Sequence, residues 1–219
     1  MTDNSRKIQQ AGMRFTTQMT TSATHELKNK LGIMNENAGL IQDLFYMQSQ
    51  GRAVDMDRIE TISHKIQDQV RLSDAIIKKL NEFVHTMDLS VDESNLVQSI
   101  ESVLALADRL IAKKRCDIQV LQPKEPILAK ANPFYFQNLL WEVIRAICSF
   151  ETCSGPIRIS FGEDTHCPSI LFHAEGVSEK DFNYLIDSDE LGALTQVLKI
   201  EPRILENKGG LGLFWMGSK

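Results

Sequence analysis

The chain has 219 residues, 42% hydrophobic and 24% charged, ordinary globular proportions and enough for one or two domains with a real core. A formal net charge of −5 argues against a protein built to grip phosphate backbones, so no nucleic-acid partner is expected. No run of eighteen apolar residues exists, and MTDNSRKIQQAG is polar where a signal peptide is apolar, which predicts a cytoplasmic chain with no membrane insertion.

From Phe15 onward, Met19, Ala23, Leu27, Leu31, Met34, Ala38, Ile41 and Phe45 recur at steps of three and four, one face of a long helix. QSQGRAVDMD then supplies a glycine and helix-starting aspartates, after which Ile59, Ile62, Ile66, Val70, Ser73, Leu80 and Met87 repeat the period, with Ile76 or Ile77 and Phe83 or Val84 between them. Two amphipathic helices predict a hairpin over residues 1–88. Its apolar stripes are too long to leave open, so burial against a second copy, as an antiparallel four-helix bundle, is expected.

Residues 89–219 carry a different pattern. A helix is predicted around 93–113, strands in CDIQVLQ and PILAK, a helix from about Pro133 to Phe150, and strands in PIRISFG and PSILFHA. The fold class is therefore α+β: a helical hairpin followed by an α/β layer. The aromatic side chains of Phe134, Tyr135, Phe136 and Trp141 fit a core face of the second helix.

His25 lies about 200° around the helix from both Ala23 and Leu27, so it points away from the core. Asn29, one turn later, shares its face, and Glu26 is offset by about 100°. Imidazole is a good nucleophile towards phosphorus, a carboxylate can take its second proton, and an amide can orient water. The plain alternative is a histidine on a solvated face. A zinc site is the poorer reading, because HExxH needs a second imidazole where Asn29 stands.

The four cysteines, Cys116, Cys148, Cys153 and Cys167, have no CxxC spacing and lie in or beside apolar runs, which predicts reduced, buried thiols. His64, His85, His166 and His173 have no setting comparable to that of His25, and structural roles are expected for them. No metal site is expected.

An outward HELKN early in a helical hairpin, followed by an α/β layer ending in GGLGL, resembles the core of the sensor histidine kinases, over residues 10–215. The resemblance implies that the hairpin dimerises and carries phosphoryl transfer, and that the second domain is a shortened sandwich of the Bergerat ATPase type. His25 matches the phosphoacceptor, Glu26 the general base, and Asn29 the residue that positions water when aspartyl-phosphate is hydrolysed. Lys28 falls where a receiver domain docks.

ANPFYFQNLLWEVIRAICSF resembles the N-box helix, whose second asparagine holds Mg²⁺ against ATP. Trp141 and Arg145 occupy the two asparagine positions, or Glu142 and Ala146 in a register one residue on. In SILFHAEGVSEKDF, Gly176 matches the second glycine of DxGxG, while Phe172 and Ala174 replace the aspartate and first glycine. KGGLGLF resembles the later glycine box, with Gly210 and Gly212 kept at an expected helix start and Lys208 in place of the first glycine. The stretch between these boxes looks short where the family carries a lid. Gly176, Gly210 and Gly212 are thus a vestigial cofactor site.

Four functions follow from this reading. The first is phosphoryl exchange between His25 and a response-regulator aspartate with little or no ATP use; ATP and Mg²⁺ are cofactors only if the altered site still works. The others are a response-regulator phosphatase using Glu26 and Asn29, an ATP-dependent kinase with an atypical pocket, and a non-catalytic scaffold or inhibitor of another kinase.

Overall fold

A computed structural model describes residues 3–90, 92–162, 167–205 and 210–216. Helices α1 (Asp3–Ser49) and α2 (Met56–His85) form the hairpin. Gly51, at φ 77°, turns the chain between them, and the Asp55 carboxylate caps α2 by accepting from the Asp57 N–H at 3.0 Å.

The second part opens with β1 (Asp92–Asn95), where the sequence predicts the start of a helix. Asn95 explains the difference. Its backbone is extended and its side chain accepts from the Val97 and Gln98 amides, so it caps α3 (Leu96–Lys114) and leaves the preceding residues free to pair with β3 (Leu128–Ala131). β2 is Ile118–Val120, and α4 (Pro133–Ile147) starts at an Asn132 cap with proline in its first turn.

β4 (Ile157–Phe161), β5 (Ser169–Ala174), α5 (Glu179–Ile186), α6 (Asp189–Leu198), β6 (Ile200–Leu205) and β7 (Gly210–Trp215) complete the described chain. The stretch that looked short in sequence folds into α5, α6 and β6. The five-stranded sheet runs β2-β4-β5-β7-β6; β2 and β4 are parallel and the other pairs antiparallel. Ile159, Phe172, Leu211, Ile170 and Leu213 alternate onto one buried face, where Phe136 of α4 meets the Trp215 ring at 5.4 Å.

This core continues into the hairpin. Ala11, Phe15, Met19 and Ala23 of α1 are at most 2% exposed and belong to the same cluster as the buried sheet residues. Phe15, Phe83 and Phe134, from α1, α2 and α4, form a triangle with ring centroids 5.2–6.2 Å apart. The acidic first turn of α6 adds ion pairs to α1, Lys7 to Asp189 at 2.9 Å and Arg14 to Glu190 at 2.8 Å. The α/β layer therefore packs on the first half of α1, up to the turn before His25.

Beyond that turn the apolar stripe opens to solvent within one chain. Leu31, Phe45, Val70 and Ile77 are 46–59% exposed.

Candidate functional site

His25 sits on the exposed face of α1, as the helical period requires, and makes no hydrogen bond or ion pair among the described residues. The threonines around it do not compete for the ring: Thr24 donates to the Thr20 carbonyl at 2.8 Å, and Thr17 to that of Met13 at 2.8 Å. Both imidazole nitrogens are thus available to an incoming group.

Asn29 and Lys28 are likewise exposed on α1. The Glu26 side chain is about one-third exposed and lies 4.0 Å from Lys30; among the described residues no hydrogen bond joins it to His25. Instead Glu26 lines a groove of about 420 Å³ where α1, α2 and α3 converge, with Ala23, Ile76, Lys79, Leu104 and Asp108. Lys79 and Asp108 escape sequence reasoning because three separate helices bring them to Glu26, and no local spacing reports that.

The three glycines lie elsewhere. Gly176, at φ 86°, makes the turn after β5, and an added Cβ would overlap the Thr152 carbonyl oxygen. Gly210 and Gly212 do not begin a helix, as the sequence leads one to expect; they are strand residues of β7, hydrogen-bonded between β5 and β6. Close packing across the sheet explains them. A Cβ on Gly210 would come within 2.7 Å of the Phe172 carbonyl oxygen, and one on Gly212 would overlap the Phe214 ring. That ring lies under the Arg203 guanidinium at 5.1 Å. Lys208 and His166 lie outside the described residues.

Helix α4 holds the remaining expected positions. Trp141 is 3% exposed, with its indole N–H donating to Gln18 Oε1 at 2.6 Å, and Arg145 pairs with Glu142. Phe136 is also fully buried, and Phe134 and Tyr135 are half-buried, the core face read from sequence. The structure also places Asn138, which the sequence reading passed over, four residues before Glu142, both at most 5% exposed. Among the described residues neither amide atom of Asn138 has a hydrogen-bond partner.

ATP with Mg²⁺ does not fit these side chains. Glu142 is paired with Arg145, Asn138 is sealed in the core, Trp141 is fixed on α1, and Phe172 is fully buried inside a strand.

Of the cysteines, only Cys148 is buried; Cys116, Cys153 and Cys167 are half-buried, which corrects the expectation of four buried thiols. His64 lies 3.7 Å from Glu60 on α2, and His173 is in β5.

No family model and no curated protein matches the chain. Among solved structures, the Acinetobacter baumannii histidine kinase AdeS is similar over 89% of this chain and 98% of its own, at 14% identity and a TM-score of 0.49. The catalytic domain of the histidine kinase ThkA is similar over 57% of this chain and 94% of its own, at 14% identity and a TM-score of 0.46. No helix among the described residues is long and apolar enough to cross a membrane.

Proposed function

We propose that the chain exchanges a phosphoryl group between His25 and an aspartate of a response-regulator receiver domain, with little or no ATP use of its own. The observation that carries this reading is His25 itself: exposed, without a partner among the described residues, and one helical turn from an exposed Asn29. In-line transfer needs an open nitrogen and room for a docked partner, both of which this face supplies.

In this reading residues 1–88 are the phosphotransfer hairpin, and residues 89–219 hold it in shape. Glu26 tunes the imidazole only after reorienting from Lys30, Lys28 meets the receiver, and Gly176, Gly210 and Gly212 serve the sheet. The open stripe through Leu31, Phe45, Val70 and Ile77 favours a homodimer, because apolar surface of that extent on a hairpin seeks a cover.

Asn29 favours a second reading, hydrolysis of the receiver's aspartyl-phosphate, since its amide is exposed on the His25 face and free to orient water. Titration calorimetry with ATP and Mg²⁺, paired with labelled-ATP incubation of wild type and His25→Ala, tests the claim of ATP independence. The expectation is no binding and no label. Binding with His25-dependent labelling would restore an ATP-dependent kinase.

A further inference from the structure

Three thiols from distant parts of the chain meet at one end of the α/β layer. Cys116 follows Arg115, the left-handed residue that ends α3; Cys148 caps the C-terminus of α4; Cys153 lies in the loop before β4. Cys116 Sγ is 3.7 Å from the Cys148 carbonyl oxygen, across 32 residues of sequence. The other sulfur contacts run elsewhere: Cys153 Sγ to the Gly155 carbonyl at 3.8 Å and Cys167 Sγ to the Trp215 carbonyl at 3.3 Å. All three are free thiols, and among the described residues no group of three or more His, Cys, Asp or Glu is arranged to hold a metal ion.

We propose that Cys116 and Cys148 form a reversible redox site, at which a small-molecule disulfide oxidises them to an intramolecular disulfide that staples the end of α3 to the end of α4. The site is independent of the chemistry at His25. A bridge needs two cysteines that are neighbours in space, and the approach of Cys116 Sγ to the Cys148 carbonyl is the one hydrogen-bond contact between cysteines among the described residues.

Cys116 reacts first, because it is half-exposed whereas Cys148 is buried. Its thiolate attacks one sulfur of the oxidant, forming a mixed disulfide and releasing one thiol. The Cys148 sulfur then attacks Cys116 Sγ, forming the bridge and releasing the second thiol. The two cysteine protons leave with the two released thiols, so two cysteines are oxidised and one small disulfide is reduced. Burial, the largest cause, holds the Cys148 thiol well above its ordinary range, so the second step is the slow one and quickens with rising pH. The closed loop restricts the unfolded chain, so the oxidised form is the more stable.

The test is incubation of the full chain with oxidised glutathione, followed by intact mass and a non-reducing peptide map. The expected result is the loss of two hydrogen atoms, a Cys116–Cys148 linked peptide, reversal by dithiothreitol, and a thermal midpoint raised by a few degrees. Cys116→Ser and Cys148→Ser should each abolish the link, and Cys153→Ser and Cys167→Ser should keep it. Because serine at the buried Cys148 position costs stability, the map of the unaltered chain decides. Four free thiols, a lasting glutathione adduct on Cys116, or a link through Cys153 or Cys167 instead of Cys148 would overturn the proposal.

Discussion

The Trp141 indole N–H donates to Gln18 Oε1 at 2.6 Å, tying the middle of α4 to α1 two turns before His25. With the Phe15, Phe83 and Phe134 rings beside it, this bond makes the two parts of the chain share one core. Trp141→Ala should therefore cost about 3–5 kcal/mol in urea unfolding, and Trp141→Phe, which keeps most of the bulk, about 1–2 kcal/mol. A smaller loss in the alanine variant than in the phenylalanine variant would mean that the indole is not packed in this way.

The glycines separate by what surrounds them. At Gly176 both a positive φ and the Thr152 carbonyl oppose a side chain, so Gly176→Ala should lose about 1–3 kcal/mol. Gly192 is exposed within α6 and nothing lies within 4 Å of an added Cβ, so Gly192→Ala should gain about 0.5–1 kcal/mol. Chemical denaturation of the two variants side by side checks both signs.

Asp181 closes the capping box of α5: its carboxylate accepts from the Ser178 hydroxyl at 2.7 Å and the Ser178 amide at 3.1 Å. The Ser178 hydroxyl, then its amide, hold the Asp181 carboxyl below the usual carboxylate range. A depressed folded-state value means that its stabilisation is complete above the unfolded value of about 3.9 and fades as pH falls through the lower folded value. The thermal midpoint of wild type should exceed that of Asp181→Asn near neutrality, and the gap should close below about pH 4.

Leu31, Phe45, Val70 and Ile77 form the open stripe of the hairpin. The variant Phe45→Glu with Val70→Glu should shift sedimentation equilibrium from dimer to monomer while leaving the helical circular dichroism in place. Unchanged association would place the dimer contact elsewhere or remove it.

Much of this was legible in the sequence because it is local. The step of three and four residues is enough to turn His25 outward and Phe15, Met19 and Ala23 inward, and the Pro133 start marks α4. What failed was set at long range. GGLGL reads locally as a turn into a helix, yet Gly210 and Gly212 pair with His173 and Leu171 of β5, forty residues' distance being no barrier to a sheet. Residues 93–95 read as helix until β3 offers them a ladder, and the contact of Cys116 with Cys148 has no spacing motif at all.

The most direct measurement is transfer from label-bearing receiver domains, phosphorylated on aspartate, to the purified chain in the presence of Mg²⁺ and without ATP. Wild type should take up acid-labile label on His25, His25→Ala should take up none, and Asn29→Ala should be labelled as wild type while hydrolysing the receiver's aspartyl-phosphate more slowly. Absence of label on wild type across a panel of receivers from the source genome, or equal labelling of His25→Ala, would contradict phosphoryl exchange at His25.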